Sequence, residues 1–328
     1  MSYFIGAYAS SPNVAGWDAD LESEYYKKLT QLPNLRGLEH PFMGTLHPHD
    51  DAWFLANVAP DWDIIFTCIP GIMNNLASNP HFGLASENEA GRQEAIAFMQ
   101  QAREAIVKLN DYAGRQVVPA IEIQTAPNTV QSNSSTHALK VSLETMLTWD
   151  WDGAQIVIEH CDQVVSGQNA AKGFLSLADE IKVLLELKTK YPTAQLGIVI
   201  NWGRSVLEGR HVDRAVQHIT ELKKVGLLSG VMFSGVSDID SEYGAWADTH
   251  MPPAPATPKM HGEAHSLLTK TEIERCLLAA GGVGSEPEIL GVKLGVRPFD
   301  TSLNDRLAYN RDALSMLSDF YTATTIRN

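Results

Sequence analysis

Cysteine is scarce in this sequence, and the few cysteines present are far apart. There are three, Cys68, Cys161 and Cys276, and no two of them form a CxxC pair. An odd number of widely spaced cysteines supports neither a disulfide framework nor a thiolate zinc knuckle. The cysteine pattern therefore predicts a protein of a reducing compartment.

Long apolar runs are missing as well. No stretch approaches the ~20 consecutive apolar residues that cross a bilayer. The first residues, MSYFIGAYASSP, lack the basic start and the apolar segment of a signal peptide. We therefore expect a soluble, cytoplasmic protein.

Positive charge is in the minority. The chain has 25 Lys and Arg residues against 39 Asp and Glu residues, which gives a formal net charge of -14. An excess of negative charge repels the phosphates of nucleic acids and the head groups of anionic lipids. Nucleic acids and membranes are therefore not expected as partners.

Several motifs that would identify an enzyme class are absent. None of the apolar runs is followed by GxGxxG or GxxxxGK[ST], the turns that an open doubly wound sheet uses to bind nucleotides. The chain also contains no HExxH, no GxSxG and no EF-hand spacing. Metallopeptidase, α/β-hydrolase and calcium-sensor functions therefore lack their characteristic residues.

What the sequence does contain is a regular alternation of short apolar runs with helical segments, the pattern of parallel strands joined by crossover helices. Eight such runs occur in 328 residues, which suits the size and strand number of a TIM barrel. We therefore predict a (β/α)8 TIM barrel that occupies residues 1–328 as a single domain. The runs begin at Tyr3, Leu35, Trp62, Val117, Ala154, Leu196, Leu228 and Leu290.

Three helices have clear signals at their ends. Ser86 and Glu89 have the spacing of a capping box at the start of one helix. A second apolar stripe, from Phe174 to Leu184, is followed by Pro192, which disfavours a continuing helix. Gly226 is placed to cap the end of a third.

One segment does not fit the alternation. Residues 241–269 contain MPPAPATPKMHGEAH, which is too rich in proline for one helix and too long for an ordinary loop. We interpret residues 241–286 as an excursion after the seventh strand, with a lid over the barrel mouth as its function.

Polar and ionisable residues gather where the predicted strands end, which is where TIM barrels carry their active sites. A structural network of Glu39, Glu122 and Glu159 with Lys293 is the alternative interpretation, although several buried like charges are costly unless they hold a metal, a proton or a polar ligand. The predicted catalytic residues are Glu159, Glu122, Lys293 and Glu39, and the predicted substrate-binding residues are His40, Gln124, Asn201, Trp202, Arg204 and Arg297.

Other polar candidates carry weaker signals. Trp202 has the chemistry to stack on a sugar ring, but a tryptophan under a loop is more often packing. His160 follows Glu159 directly, and adjacent strand residues point in opposite directions, so we expect His160 to face the helices or loops. His47 and His49 lie close to Asp50 and Asp51 in a loop, a weak signal for a metal.

The ordered runs resemble those of the xylose-isomerase-like TIM barrels, a superfamily of sugar isomerases, epimerases and dehydratases, and specifically an uncharacterised bacterial branch of it. IVIEHCD resembles the fifth strand of that superfamily, whose final glutamate binds metal, which makes Glu159 the best candidate ligand. The resemblance implies one divalent metal (Mn, Mg or Zn), a small carbohydrate as the partner and a homo-oligomer.

Two positions depart from the superfamily pattern. Asn201 stands at the end of the sixth strand, where an aspartate is usual, and Lys293 stands at the eighth, where a second glutamate is expected. An ammonium at Lys293 puts a positive charge where a metal would otherwise lie. Either this ammonium takes the place of the metal, or the metal lies closer to Glu39 and Glu122.

The resemblance favours an isomerase or epimerase that acts on a small sugar or sugar acid by acid/base proton transfer. Glu159 and Glu122 would transfer protons, Lys293 would stabilise an oxyanion, and Arg204 and Arg297 would bind an anionic substituent. Two other hypotheses stay open: a metal-independent glycoside hydrolase or lyase, and a non-catalytic barrel that binds a metabolite.

Overall fold

Eight strands form a closed barrel in the computed structural model, which describes residues 1–325 of the chain. The strands are β1 (Tyr3–Ile5), β2 (Leu35–Pro41), β3 (Asp63–Thr67), β4 (Ala120–Ile123), β5 (Gln155–His160), β6 (Leu196–Asn201), β7 (Leu228–Phe233) and β8 (Ile289–Val292). Neighbours along the chain are neighbours in the barrel, and β8 pairs in parallel with β1. The predicted (β/α)8 barrel and its eight strand runs are confirmed.

Ten α-helices alternate with these strands in the part of the chain that the structure describes. None of them is long and apolar enough to cross a membrane. A short 3-10 helix, Ala7–Ser10, follows β1. The α-helices are α1 (Ala19–Leu29), α2 (Asp51–Asn57), α3 (Ile69–Ser78), α4 (Glu89–Ala113), α5 (Thr136–Met146), α6 (Leu177–Lys190), α7 (Trp202–Gly209), α8 (Asp213–Val225), α9 (Lys270–Ala279) and α10 (Leu303–Thr325).

Strand residues are buried on both faces of the barrel wall. In β6, the consecutive residues Ile198, Val199 and Ile200 are all fully inaccessible to solvent. Since adjacent residues of a strand point in opposite directions, one set must face the interior of the barrel and the other the surrounding helices. Runs of this kind read as continuous apolar stretches, which is why they stand out in the sequence.

Two predicted helix ends are confirmed and one predicted cap is wrong. Helix α6 stops before Pro192, and α8 ends at Gly226, whose φ of 70° is left-handed. Helix α4, however, is capped by Asn88, which accepts a hydrogen bond from the backbone of Gly91. Ser86 lies two residues before the cap and instead accepts from the backbone N–H of Asn88.

The excursion after β7 is irregular over residues 234–269. Regular structure then resumes before residue 286. Helix α9 begins at Lys270, after Thr269 has capped it by accepting a hydrogen bond from the backbone of Glu272. The predicted loop over residues 241–286 is therefore wrong for residues 270–279. Its function as a lid stays a prediction.

Side-chain hydrogen bonds tie the excursion to α10. The Glu263 carboxylate accepts hydrogen bonds through Oε1 from Tyr309 at 3.0 Å and from Tyr243 at 3.4 Å. The backbone N–H of His261 donates to Asp312 at 2.7 Å. These contacts give an irregular segment a defined path, because its polar groups are bonded to a regular element.

The chain divides into two compact units. The first unit consists of residues 1–39, residues 57–62 and the chain from residue 200 onward, and the second consists of residues 40–56 and 63–199. Two of the four boundaries between the units fall within barrel strands, β2 and β6. The single domain proposed from the sequence stays a prediction.

Candidate active site

In the second unit, β4 and β5 bring two carboxylates and an amide to the same face. Glu122 pairs with Val157, and residues two apart on a strand share a face, so Glu122, Gln124 and Glu159 project to the same side. All three side chains are fully buried. One carboxylate oxygen of Glu122 lies within 4.8 Å of one of Glu159. Like charges this close require a proton or a cation between them or near them.

Two donors fix the orientation of the Glu159 carboxylate. Its Oε2 accepts a hydrogen bond from Nε2 of Gln124 at 2.9 Å and another from Oγ1 of Thr67 at 3.4 Å. The other end of the amide, Oε1 of Gln124, is buried and accepts no hydrogen bond from any residue described. A buried acceptor of this kind is rare unless a ligand, an ion or water satisfies it.

The two cysteines of this unit are inert. Cys68 follows β3 directly and is fully buried, and this burial, with the nearby carboxylates of Glu122 and Glu159, raises the pKa of its thiol. Cys161 is also buried, and its thiol lies 3.6 Å from the backbone oxygen of Glu159. The thiolate, which is the reactive form of cysteine, is therefore disfavoured at Cys68.

His160 faces away from these carboxylates, as the alternation along β5 predicts. Its Nδ1 lies 2.8 Å from Oε2 of Glu180, a buried residue of α6. The other oxygen of Glu180 accepts a hydrogen bond from Thr125 at 2.8 Å. This network joins the strand ends to a helix and positions the outer face of β5.

In the first unit, the ends of β2 and β8 form a buried ion pair. Nζ of Lys293 lies 2.6 Å from Oε1 of Glu39, and neither side chain is accessible to solvent. The ammonium also lies 5.5 Å from the ring centroid of Tyr8. Gly6 makes room for the pair, since a Cβ there would lie 2.7 Å from Oε2 of Glu39. Charges this deeply buried are retained only with close partners.

Asn201 is oriented by its neighbours at the end of β6. Its Oδ1 accepts hydrogen bonds from the Ser234 hydroxyl at 2.8 Å and from the backbone N–H of Arg204 at 3.3 Å, so that Asn201 caps α7. The amide nitrogen Nδ2 is buried and has no hydrogen-bond partner among the residues described. The Oδ1 of Asn201 therefore stabilises the local structure, while its Nδ2 can donate a hydrogen bond to a ligand.

Arg204, predicted to bind substrate, is instead paired with the excursion after β7. Its Nε donates a hydrogen bond across 3.2 Å to Oδ2 of Asp248, and both side chains are buried. The second oxygen of Asp248 lies 3.5 Å from His250. The guanidinium of Arg204 therefore serves to hold residues 248–250.

Arg297 has a different setting in the loop after β8. Its guanidinium stacks 3.8 Å from the ring centroid of Phe299 and 5.9 Å from that of Tyr243. Its backbone N–H donates to the Tyr243 hydroxyl at 3.0 Å. The side chain is only partly buried.

Two other residues predicted to bind substrate, Trp202 and His40, are buried, and their role in binding stays a prediction. Trp202 is fully buried at the start of α7, and its indole Nε1 has no hydrogen-bond partner among the residues described. His40 lies 4.3 Å from the ring of Phe54, and its Nε2 is 2.7 Å from the backbone oxygen of Leu46. Burial lowers the pKa of His40 to about 3, so its ring is neutral.

The histidines of the loop after β2 stabilise the conformation of that loop. Nδ1 of His47 accepts hydrogen bonds from the backbone N–H groups of His49, at 3.3 Å, and of Asp50, at 3.1 Å. A ring nitrogen used in this way has no lone pair left for a metal. Asp51 accepts from the backbone of His47 and from Lys108, so it too is engaged.

Sequence reasoning missed three residues that shape these groups. Thr67 ends β3 and contacts Glu159, a position that reading the strand ends would have identified. Asp248 and Tyr243 lie in the excursion and meet residues more than forty positions away. Irregular segments have no periodicity from which such contacts are predictable.

The donor set of the second unit is suited to a hard divalent cation. Glu122 and Glu159 supply carboxylate oxygens within 4.8 Å of each other. Gln124 adds a buried amide oxygen with no hydrogen-bond partner among the residues described. Oxygen ligands of this type match Mg or Mn better than a soft metal.

Solved structures with low sequence identity share this fold. L-ribulose 3-epimerase superimposes with a TM-score of 0.59 at 13% identity, over 100% of this chain and 97% of that one. The IOLI protein with a bound zinc atom gives 0.59 at 10% identity, over 98% of this chain and 100% of that one. The 3-keto-D-glucoside 4-epimerase of E. coli gives 0.53 at 13% identity, over 92% and 94%. The fold is that of the xylose-isomerase-like TIM barrels.

Sequence comparison identifies nearer relatives. An uncharacterised protein of Salmonella typhimurium is 32% identical over 320 residues, which cover 96% of each chain. Residues 4–309 match the family model described as a domain of unknown function, DUF4862. These matches span nearly the whole barrel, and the chain therefore belongs to the DUF4862 family.

Proposed function

We propose that this protein is an enzyme of carbohydrate metabolism that isomerises or epimerises a small sugar or sugar acid by proton transfer. The observation that carries the proposal is the buried pair of Glu122 and Glu159, with carboxylate oxygens within 4.8 Å. Epimerases among the structures that share the fold support this reaction class. Proton transfer between neighbouring carbons needs acid and base groups of this kind.

Glu159 has the more suitable geometry for the base. Gln124 and Thr67 both donate to its Oε2, which fixes the plane of the carboxylate and directs Oε1. In the proposed reaction, Glu159 accepts the proton from the carbon beside the substrate carbonyl, and an enediolate forms. Glu122, which holds a proton at the start, then gives it to the opposite face of the same carbon in an epimerase. In an isomerase, Glu122 gives its proton to the former carbonyl carbon, while the hydroxyl proton of the first carbon passes to the former carbonyl oxygen.

The same oxygens would hold a divalent cation, Mg, Mn or Zn, if the enzyme uses one. Such a cation polarises the carbonyl and hydroxyl oxygens of an open-chain sugar. The residues that would bind it are Glu122, Glu159 and Gln124. The buried Oε1 of Gln124 supports this assignment, because a cation or a substrate hydroxyl would satisfy it.

Lys293 completes the proposal as the group that stabilises negative charge. It directly follows β8, and enzymes with this fold carry their active sites at the carboxyl ends of the strands. The ammonium would stabilise the oxygen of the enediolate, and Glu39 holds it in position at 2.6 Å. Without Glu39, a buried ammonium would readily lose its proton.

The test is exchange of carbon-bound hydrogen with solvent. Wild-type protein, first treated with chelator and then supplied with Mg, Mn or Zn, is incubated in D2O with aldoses, ketoses and sugar acids. Nuclear magnetic resonance would show deuterium beside the carbonyl group. We expect exchange in the wild type and at least a hundredfold slower exchange in Glu159→Gln, following the size of typical acid/base contributions.

The matched control is Glu144→Gln, which removes a carboxylate of α5 that pairs with Lys190 at the surface. It should exchange at the wild-type rate. Exchange that persists in both Glu159→Gln and Glu122→Gln would remove these carboxylates from the mechanism. Release of an alcohol from glycosides instead of exchange would indicate a hydrolase.

A further inference from the structure

The loops after β7 and β8 meet at Arg297. Tyr243, in the loop after β7, accepts a hydrogen bond from the backbone N–H of Arg297 at 3.0 Å, and its ring lies 5.9 Å from the guanidinium. Phe299 flanks the guanidinium at 3.8 Å. These cation–π contacts do not use the N–H groups of the guanidinium as hydrogen-bond donors.

The guanidinium of Arg297 has no acidic partner among the residues described. Its one side-chain hydrogen bond is a long one, 3.5 Å to the backbone oxygen of Val296. Arg204, by contrast, is paired with Asp248 at 3.2 Å. Arg297 is therefore a partly buried arginine without a carboxylate partner among the residues described, in a chain with 39 acidic residues against 25 basic ones.

A second arginine adds positive charge to this region. Arg306 is buried and donates to four backbone oxygens, those of Ser10, Ser11, Phe299 and Thr301. Burial lowers the pKa of Arg306, and the charge of Arg297 adds to this effect, whereas Asp300 opposes it. Two arginines, Arg297 and Arg306, therefore belong to the loop after β8 and the helix that follows it.

We infer that Arg297 binds an oxyanion of the substrate, either the carboxylate of a sugar acid or the phosphate of a sugar phosphate. A guanidinium held by two rings offers paired N–H donors in the planar arrangement that both anions accept. TIM-barrel enzymes frequently bind phosphate with the loops after the seventh and eighth strands, the two loops that Arg297 joins. The inference rests on the proposed function, because it takes the anion to be part of a sugar.

Thermal denaturation at constant ionic strength tests the inference. The probes are inorganic phosphate, gluconate, glucose 6-phosphate and neutral glucose. For the wild type, we expect saturable stabilisation by at least one anionic probe and a weaker effect of glucose. Stabilisation by gluconate alone would identify a carboxylate, and stabilisation by the two phosphates would identify a phosphate.

Arg297→Gln should weaken half-saturation by the effective anion by roughly ten- to hundredfold, the usual range for charge-assisted hydrogen bonds. Arg297→Lys keeps the charge but loses the paired donors, so its half-saturation should lie between that of the wild type and that of Arg297→Gln. Arg115→Gln is the matched control, since it removes a partly exposed arginine that is paired with Asp63. It should bind as the wild type does.

Two outcomes overturn the inference: no anionic probe stabilises the wild type saturably, or Arg297→Gln binds the anion as tightly as the wild type. The same probes are assayed for deuterium exchange. Exchange on neutral sugars without anion binding keeps the proposed function and overturns the anion site. Anion binding that depends on Arg297, without exchange on any sugar, supports the anion site and removes the proposed function.

Discussion

Gln124 donates a 2.9 Å hydrogen bond from Nε2 to Oε2 of Glu159, which joins the ends of two neighbouring strands. The two side chains share a face because both lie two positions beyond a registered pair, Glu122 with Val157. The amide therefore orients the carboxylate and presents its own oxygen, Oε1, on the same side.

Gln124→Met should slow catalysis more than it destabilises the fold. Methionine has a similar volume, but it has no N–H to orient Glu159, and we expect turnover to fall about ten- to hundredfold, the range seen when a supporting hydrogen bond is lost. Steady-state kinetics on the substrate found by deuterium exchange would measure this. The free energy of unfolding, from urea denaturation, should change by about 1–2 kcal/mol.

The control is the adjacent Thr125, whose hydroxyl donates to Glu180 on the opposite face. Thr125→Val should destabilise the protein by a similar amount while turnover per folded molecule stays unchanged. Equal losses of turnover in both variants would mean that Gln124 acts only through stability.

The ion pair of Glu39 and Lys293 should show strong coupling. Either Glu39→Gln or Lys293→Met leaves one charge buried without its partner at 2.6 Å, and we expect a loss of about 3–5 kcal/mol in each. The double variant removes both charges and should be clearly more stable than the sum of the single losses predicts. Urea denaturation of the four proteins gives the coupling energy.

Activity separates structure from catalysis in the same four proteins. If Lys293 stabilises an oxyanion, the double variant regains stability but not turnover. Lys293→Arg, which keeps the positive charge, provides a folded reference. Additive stability losses would contradict a direct pair, and full turnover in the double variant would exclude a catalytic role for Lys293.

Much of this arrangement was predictable from strand periodicity. Glu122, Gln124 and Glu159 were identified because they end apolar runs, and alternation alone directs His160 toward the helices, where Glu180 meets it. The cap of α4 was misplaced because Ser86 and Asn88 are both good capping residues, and only the backbone path shows which one closes the helix.

Contacts of the irregular segment were beyond the reach of the sequence. In the sequence, Arg204 is only a cation near the end of a strand. Its pairing with Asp248 depends on the path of residues 234–250, which the sequence pattern does not predict. Trp202 has the chemistry to stack on a sugar ring, yet its whole side chain is buried at the start of α7. Long-range packing decided both cases, and no local pattern encodes it.

His40 should make stability depend on pH between about 3 and 6.5. Its folded pKa is lowered to about 3 from an ordinary value of 6.5, with burial as the main cause. The unfolded chain therefore binds a proton that the folded protein refuses, and as pH falls through this window folding loses about 1.4 kcal/mol per pH unit. Above pH 6.5 the neutral ring has no such effect.

His40→Gln keeps a donor for the backbone oxygen of Leu46 but cannot titrate. Urea denaturation at several pH values should show a shallower dependence in this variant below pH 6.5, whatever its stability at pH 7.5. Parallel curves for the two proteins would show that His40 does not account for the acid sensitivity.

The pairing of Arg204 with Asp248 should keep the excursion after β7 in place. Asp248→Asn removes the charge that faces the buried guanidinium at 3.2 Å and also weakens the contact with His250 at 3.5 Å. Residues 234–269 contain neither helix nor strand, and irregular segments open locally more readily than regular elements, so the loss of one buried pair should be detectable even though backbone hydrogen bonds such as those between Gly235 and Met251 remain. We expect limited proteolysis within residues 241–269 to become several-fold faster, with cleavage sites assigned by mass spectrometry.

The control is Lys270→Gln, which breaks the exposed pair with Asp319 at 2.7 Å beside the same segment. This variant should be cleaved at the wild-type rate. Equal cleavage of Asp248→Asn and the wild type would show that the pairing with Arg204 is not needed to hold the segment.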